Sequence, residues 1–430
     1  MQNEPLEFAD EPAVPNVSNV SIVRKLGGTE QLFWLLDRHR PTHFVMAAQI
    51  DRVFVADAWR AALHAVQQRH VLLTTRIVSN DRSPLAFHRD DDARIPLRVI
   101  RGDANVNANA WPAQAERELR EPFDTSVAPL VRATVVQDEC ASTLLLVAHH
   151  SVLDGMGGAY VIEDLLRALA GETLDRLPVV QPLETLLRDA IDQSDAPPAP
   201  TPAPQAKVFR PVGASSLRVD ARQLDASLTR ALVERARRER TTVHGALAAA
   251  VHEAARRVSA AWRARPLRTV TPIDVRAQTR EAGKANGVYI TQTITVDDHP
   301  PGADFWNAAR AVKAQLAPAQ ARENVVKELK GLDAVMATQP SVEHAAGFLG
   351  HVLAFDVLLS NLGDAPIPSN YAGLKLEALW GPLVSSGFAD DQVIGVCTLD
   401  GVLRITHASY GALPELLVQM EAVLRDAVAP

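Results

Sequence analysis

Apolar positions along this chain follow two rhythms, one near 3.6 residues and one of two, with turn formers where one gives way to the other. Residues 22–26 predict a short strand. Gly27-Gly28 then leads into a helix carrying Leu32, Phe33, Trp34, Leu35 and Leu36, with Thr29 as its cap. Residues 44–55 read as a strand, Asp57 as the cap of a helix running to Arg69 and His70, and residues 72–78 as the next strand. Two runs rich in β-formers, 130–136 and 143–148, flank Gln137-Asp138-Glu139 and predict a hairpin. After Gly155 the apolar residues Ala159, Ile162, Leu165, Leu166 and Leu169 return to helical spacing, so residues 149–155 form a strand-to-helix corner.

The second half mixes the same rhythms. It predicts strands at 217–219, 269–274, 289–296 and 353–359, a turn at Ser360-Asn361-Leu362-Gly363, and a hairpin of 393–398 with 402–407. Helices are expected through Leu228 and Arg235, over 242–259, over 304–316 and over 413–428. Between the halves, residues 191–211 are too rich in proline for helix or central strand and suit an extended linker. Residues 1–20 read as a flexible tail. The expected division is therefore a tail at 1–20, an N-terminal subdomain at 21–190, the linker at 191–211 and a C-terminal subdomain at 212–430, both mixed α/β.

At 430 residues the chain exceeds what one hydrophobic core usually serves, which agrees with two units. Its net charge of −7 is spread along the sequence and gives no reason to expect nucleic acid. Two cysteines, Cys140 and Cys397, make no disulfide framework, the N-terminus lacks a signal-peptide pattern, and no apolar run reaches membrane length. A cytoplasmic protein is expected.

The chemistry concentrates at His149-His150-Ser151-Val152-Leu153-Asp154-Gly155. A neutral imidazole takes a proton from an attacking hydroxyl or amine. An aspartate bonded to that imidazole would instead favour its charged form. Arg276, at the end of a predicted strand in the other half, is the candidate partner that would occupy Asp154 and leave His150 free as base. Asp154 as a plain helix cap is the competing reading. Adjacent histidines at a strand end point to opposite sides, so metal binding is not expected.

The stretch is similar to the His-His-x-x-x-Asp-Gly signature of the chloramphenicol acetyltransferase-like superfamily, which includes peptide condensation domains and polyketide-associated acyltransferases. Arg24-Lys25-Leu26-Gly27-Gly28-Thr29-Glu30 resembles the entry of the stand-alone acyltransferases, and Pro272-Ile273-Asp274-Val275-Arg276 the family's Pro-x-Asp-x-Arg stretch. Residues 69–76 resemble an Arg-His-x-x-Leu-Arg-Thr segment, with Thr74 in place of the usual arginine.

The resemblance implies two acyltransferase-like subdomains in a V-shaped pseudo-dimer, with a channel between them and His150 at its midpoint. It also implies a donor thioester on coenzyme A or a carrier-protein phosphopantetheine arm, with no permanently bound cofactor. His149 would support the loop and Gly155 a close backbone turn. Ser360 and Asn361 would line the channel or serve only as turn formers. Arg235 and Arg238, by their own residue pattern, lie in a basic helical run that would either meet an acyl or peptidyl carrier protein or form a solvated face. The expected product is an ester or amide from a small alcohol or amine, made by a monomer. A non-catalytic recruitment module and an amide-forming peptide condensation enzyme are the alternatives.

Overall fold

The computed structural model describes residues 21–80, 83–102, 110–194, 207–210, 217–263 and 265–429. The expected tail at 1–20 and most of the expected linker lie outside the described residues. The first half runs β1 (Ile22–Lys25), α1 (Gly28–His39), β2 (Phe44–Ile50), α2 (Ala56–Arg69), β3 (Thr75–Asn80), β4 (Ser83–Arg89), β5 (Leu97–Arg101), α3 (Trp111–Arg120), β6 (Val131–Gln137), β7 (Ser142–Ala148) and α4 (Gly155–Leu169). Short helices α5 (Leu183–Leu186) and α6 (Arg188–Gln193) follow, so the expected linker begins inside a helix.

The second half runs β8 (Arg218–Gln223), α7 (Ala226–Arg238), α8 (Val243–Val258), α9 (Ala260–Arg263), β9 (Leu267–Asp274), β10 (Ile290–Asp297), α10 (Phe305–Leu316), α11 (Arg322–Ala337) and α12 (Val342–Val352). It closes with β11 (Val357–Asp364), β12 (Asn370–Tyr371), β13 (Leu374–Val384), β14 (Gln392–Leu399), β15 (Val402–Ser409) and α13 (Leu416–Val428).

Two six-stranded mixed sheets organise the molecule as a pseudo-dimer of α/β units. One has the order β12-β13-β2-β7-β6-β5 and the other β10-β9-β11-β14-β15-β8, while β1, β4 and β3 form a small third sheet. The halves are not sealed units: β13, from the second half, pairs antiparallel with β2 of the first, placing Trp380 opposite Ala47 and Val384 opposite Phe44.

Strand β7 is central, paired on both sides and buried throughout, which is why it reads as an unbroken apolar run. Its alternation nonetheless serves two cores. Leu144, Leu146 and Ala148 pack into one cluster with Phe44 and Ile162. Leu145 and Val147 pack into another with Trp111 and Trp380.

Several local expectations are corrected. Helix α1 is capped by Gly27, and Thr29 lies inside it, giving its amide and hydroxyl to the buried Glu184 at 2.7 Å each. Asp57 sits in the first turn of α2, whose cap is Val55, and β2 ends at Ile50 rather than at 55. Residues 71–74 form a 3₁₀ turn before β3. Ser360-Asn361-Leu362-Gly363 is no turn. It belongs to β11, which pairs parallel with β14 and carries an irregularity between Asn361 and Asp364.

Candidate active site

The period-two alternation of β7 carries past its end. His149 continues the face of Leu145 and Val147, while His150 continues the face of Leu144, Leu146 and Ala148. His149 is fully buried, its ring edge-on to Phe123 with centroids 6.1 Å apart, and its Nδ1 accepts a hydrogen bond from the Ser151 amide at 3.1 Å. His150 faces the other way into a cavity of about 300 Å³.

There the His150 imidazole stacks on Phe33, centroids 4.0 Å apart and planes within 6°, and touches Phe44 at 5.1 Å. Burial pushes its pKa down to about 4, against the opposing pull of the Asp154 charge, so the ring is neutral at physiological pH. Nδ1 is enclosed by protein, while the ring itself lines the cavity.

Asp154 is fully buried and does not bond either histidine. Its Oδ1 accepts from the Gly157 amide at 2.8 Å and so caps α4. Arg276 grips both oxygens at 2.8 Å, and Oδ2 also accepts from the Tyr289 amide at 2.9 Å. Cap and salt bridge, competing readings of the sequence, are both present. The guanidinium reaches Asp274 as well, at 3.0 Å. Burial works against its charge, yet the Asp154 and Asp274 carboxylates together outweigh burial and hold Arg276 above its ordinary pKa. One contact therefore joins the 3₁₀ turn after β9, in the second half, to the motif corner of the first.

Gly155 lines the cavity for a different reason from the one expected. Its φ is not positive, so the turn does not require glycine. A Cβ there would stand 3.1 Å from Leu362 and 3.3 Å from Pro382, so what glycine permits is the close approach of β11 and β13 to the start of α4.

Ser360 and Asn361 both line the cavity, together with Leu358 and Leu362. The register of β11 with β14 breaks just beyond them, between Asn361 and Asp364. Asn361 Oδ1 also accepts from the Gly363 amide at 2.8 Å.

Arg235 and Arg238 lie on α7 and do not line the cavity. Arg235 is paired with Glu239 at 3.0 Å and lies over the Trp306 ring, while Arg238 is exposed.

The structure adds residues that were not singled out from sequence. Phe33 supplies the stacking face, and Asp274 contributes a carboxylate to the wall, its pKa raised by burial despite Arg276 beside it. Leu332, Leu349, Leu353 and Phe355 make much of the remaining surface apolar. Among the described residues no group of three His, Cys, Asp or Glu side chains is arranged to hold a metal ion, and no helix is long and apolar enough to cross a membrane.

Residues 32–183 match the profile of the condensation domain, and residues 213–407 match that of the phthiocerol/phthiodiolone dimycocerosyl transferase C-terminus. The chain is 25% identical over 156 residues to tyrocidine synthase 3 of Brevibacillus parabrevis, a match covering 36% of this chain and 2% of that much longer protein. It is 26% identical over 175 residues to the phthiocerol/phthiodiolone dimycocerosyl transferase of Mycobacterium leprae, covering 40% of this chain and 39% of that protein.

Among solved structures, polyketide synthase associated protein 5 of Mycobacterium tuberculosis superposes with a TM-score of 0.68 at 19% identity, covering 96% of this chain and 99% of the other. Trichothecene 15-O-acetyltransferase of Fusarium sporotrichioides does so with a TM-score of 0.67 at 13% identity, covering 97% and 99%. These structural likenesses speak to the fold.

Proposed function

We propose that this chain, whose residues 32–183 match the condensation domain and 213–407 the phthiocerol/phthiodiolone dimycocerosyl transferase C-terminus, is an acyltransferase of natural-product or lipid assembly, moving an acyl group from a thioester to a hydroxyl or amine. The observation that carries this reading is His150: a neutral imidazole on the wall of a largely apolar cavity, with the nearby carboxylate held by Arg276.

The chemistry follows from that placement. His150 Nε2 takes the proton of the acceptor as its oxygen or nitrogen attacks the thioester carbonyl. The new C–O or C–N bond forms, the C–S bond breaks, and the departing thiolate takes the proton from the imidazolium. No acyl-enzyme is formed. Removal of the proton in the transition state contributes about 10²- to 10⁴-fold in rate. The apolar wall excludes water that would otherwise hydrolyse the donor.

The donor in this reading sits on coenzyme A or on the phosphopantetheine arm of an acyl or peptidyl carrier protein, and the acceptor is a small alcohol or amine. The likeness of residues 32–183 to condensation domains supports one second reading, amide formation between two carrier-bound substrates. Incubation with acyl-CoA and acyl-carrier donors, each offered alcohols and amines, with products followed by mass spectrometry, tests both. Ester or amide from a single thioester and a free acceptor supports the first, product only from two carrier-bound partners the second, and no transfer from any donor rejects both.

A further inference from the structure

Helix α1 touches three successive residues of the motif corner with one stripe of its surface. The Glu30 carbonyl accepts from the Ser151 hydroxyl at 2.8 Å, Phe33 stacks on His150, and Asp37 faces His149 at 3.5 Å. Spacings of three and four residues put these groups on one helical face. Two of the three contacts explain themselves as anchoring and packing. Asp37 does not, because a carboxylate this deeply buried, with no arginine or lysine bonded to it among the described residues, is costly unless its charge has work to do.

The surroundings of Asp37 show what that charge acts on. Its Oδ1 accepts from the Thr42 amide at 2.8 Å and faces His43 Nδ1 at 3.7 Å, while His43 Nε2 lies 2.8 Å from the Glu118 carbonyl. Its Oδ2 faces His149 Nε2, which has no other partner among the described residues. Burial disfavours the charged carboxylate, but His149 and then His43 outweigh burial and hold Asp37 well below the usual carboxylate range. Meanwhile His149 Nδ1 must keep its lone pair to accept from Ser151. The proton of a neutral His149 then belongs on Nε2, the nitrogen that faces the carboxylate. At 3.5 Å the contact is long for a hydrogen bond, so Asp37 selects the tautomer mainly through its charge.

We propose that Asp37 is a positioning residue: it holds His149 in the Nε2–H tautomer, which lets His149 accept from Ser151 and so fixes the backbone turn that aims His150 into the cavity. Both sides of the corner are then set by α1, Phe33 orienting the reactive ring directly and Asp37 doing so through its neighbour. The inference rests on the reading of His150 as base, and its primary test needs no substrate.

Long-range ¹H–¹⁵N correlation of the ¹⁵N-histidine-labelled protein, with His149 assigned by difference against His149→Asn, should show protonated Nε2 and bare Nδ1. Asp37→Asn keeps the shape and an acceptor for Thr42 but removes the charge. It should mix the two tautomers and lower turnover at saturating donor by about tenfold, with KM within about twofold of the parent, because the reactive group is misaimed rather than lost. In a His149→Asn background, where the amide oxygen accepts from Ser151 without help, Asp37→Asn should change turnover no further.

A parent protein with the proton on Nδ1 overturns the inference, as does either readout moving without the other. The parent's tautomer is readable even if Asp37→Asn does not fold. A parent that transfers no acyl group would instead sink the functional reading.

Discussion

Arg276 closes on Asp154 with both terminal nitrogens at 2.8 Å, across 122 positions of sequence and between the two halves of the fold. The pair is buried, and the same carboxylate caps α4 and accepts from Tyr289. Removing one partner leaves the other charge buried and unpaired. Arg276→Ala should therefore lower unfolding free energy by about 3–5 kcal/mol. Arg276→Lys, which keeps the charge but loses the planar fork, should lose less. Urea titration checks both, and an Arg276→Ala midpoint equal to the parent's would refute the pairing.

The burial of His150 sets a pH dependence. Its pKa is pushed down to about 4, below the ordinary histidine value of about 6.5. A base works only when unprotonated, so kcat/KM should stay flat from neutral pH downward and fall on an acid limb centred near 4. Phe33→Ala, which opens the stacked face to water, should move that limb towards the unperturbed value of about 6.5. A parent limb already at the unperturbed value would contradict the burial argument.

Close packing at Gly155 predicts a graded response. Leu362 and Pro382 must give way by a few tenths of an ångström for an alanine and much further for a valine. Overpacking of this kind costs about 1–3 kcal/mol. Gly155→Ala should fold and turn over slowly, and Gly155→Val should lose most activity or stability, as read by thermal melting alongside product formation.

The apolar wall predicts a chain-length preference. Leu358 projects from β11 into the cavity beside Ser360. Leu358→Trp should cut kcat/KM for long acyl donors at least tenfold while sparing short ones, since each excluded methylene forfeits about 0.8 kcal/mol of burial. Equal losses across a donor series would show that the acyl chain lies elsewhere.

How much of this could be read from sequence depends on whether the signal is local. Strands β6 and β7 and helix α4 follow from periodicity, and the corner between them from the residues at its bend. The family motif points to His150, Asp154 and Arg276, and the structure brings the last two together. Strand β13 was not legible, because Gly381-Pro382 interrupts its pattern and its partner β2 lies more than 300 residues away. Helix α11 escaped for want of a clear apolar stripe and a side-chain cap, and α12 escaped although Ser341 caps it.

Phe33 and Asp37 stand four apart in plain view. Yet nothing in α1 itself says which of its faces will meet the motif. The cavity is the least legible feature, being built from side chains of at least six separate elements.

Acyl transfer turns on the imidazole of His150 as its base. The most direct test is single-turnover transfer from a pre-bound thioester donor by His150→Ala, with thermal melting confirming the fold. The expected result is a loss of about 10²- to 10⁴-fold in the transfer rate at an unchanged melting temperature. Product formed by the folded variant at the parent's rate would contradict it.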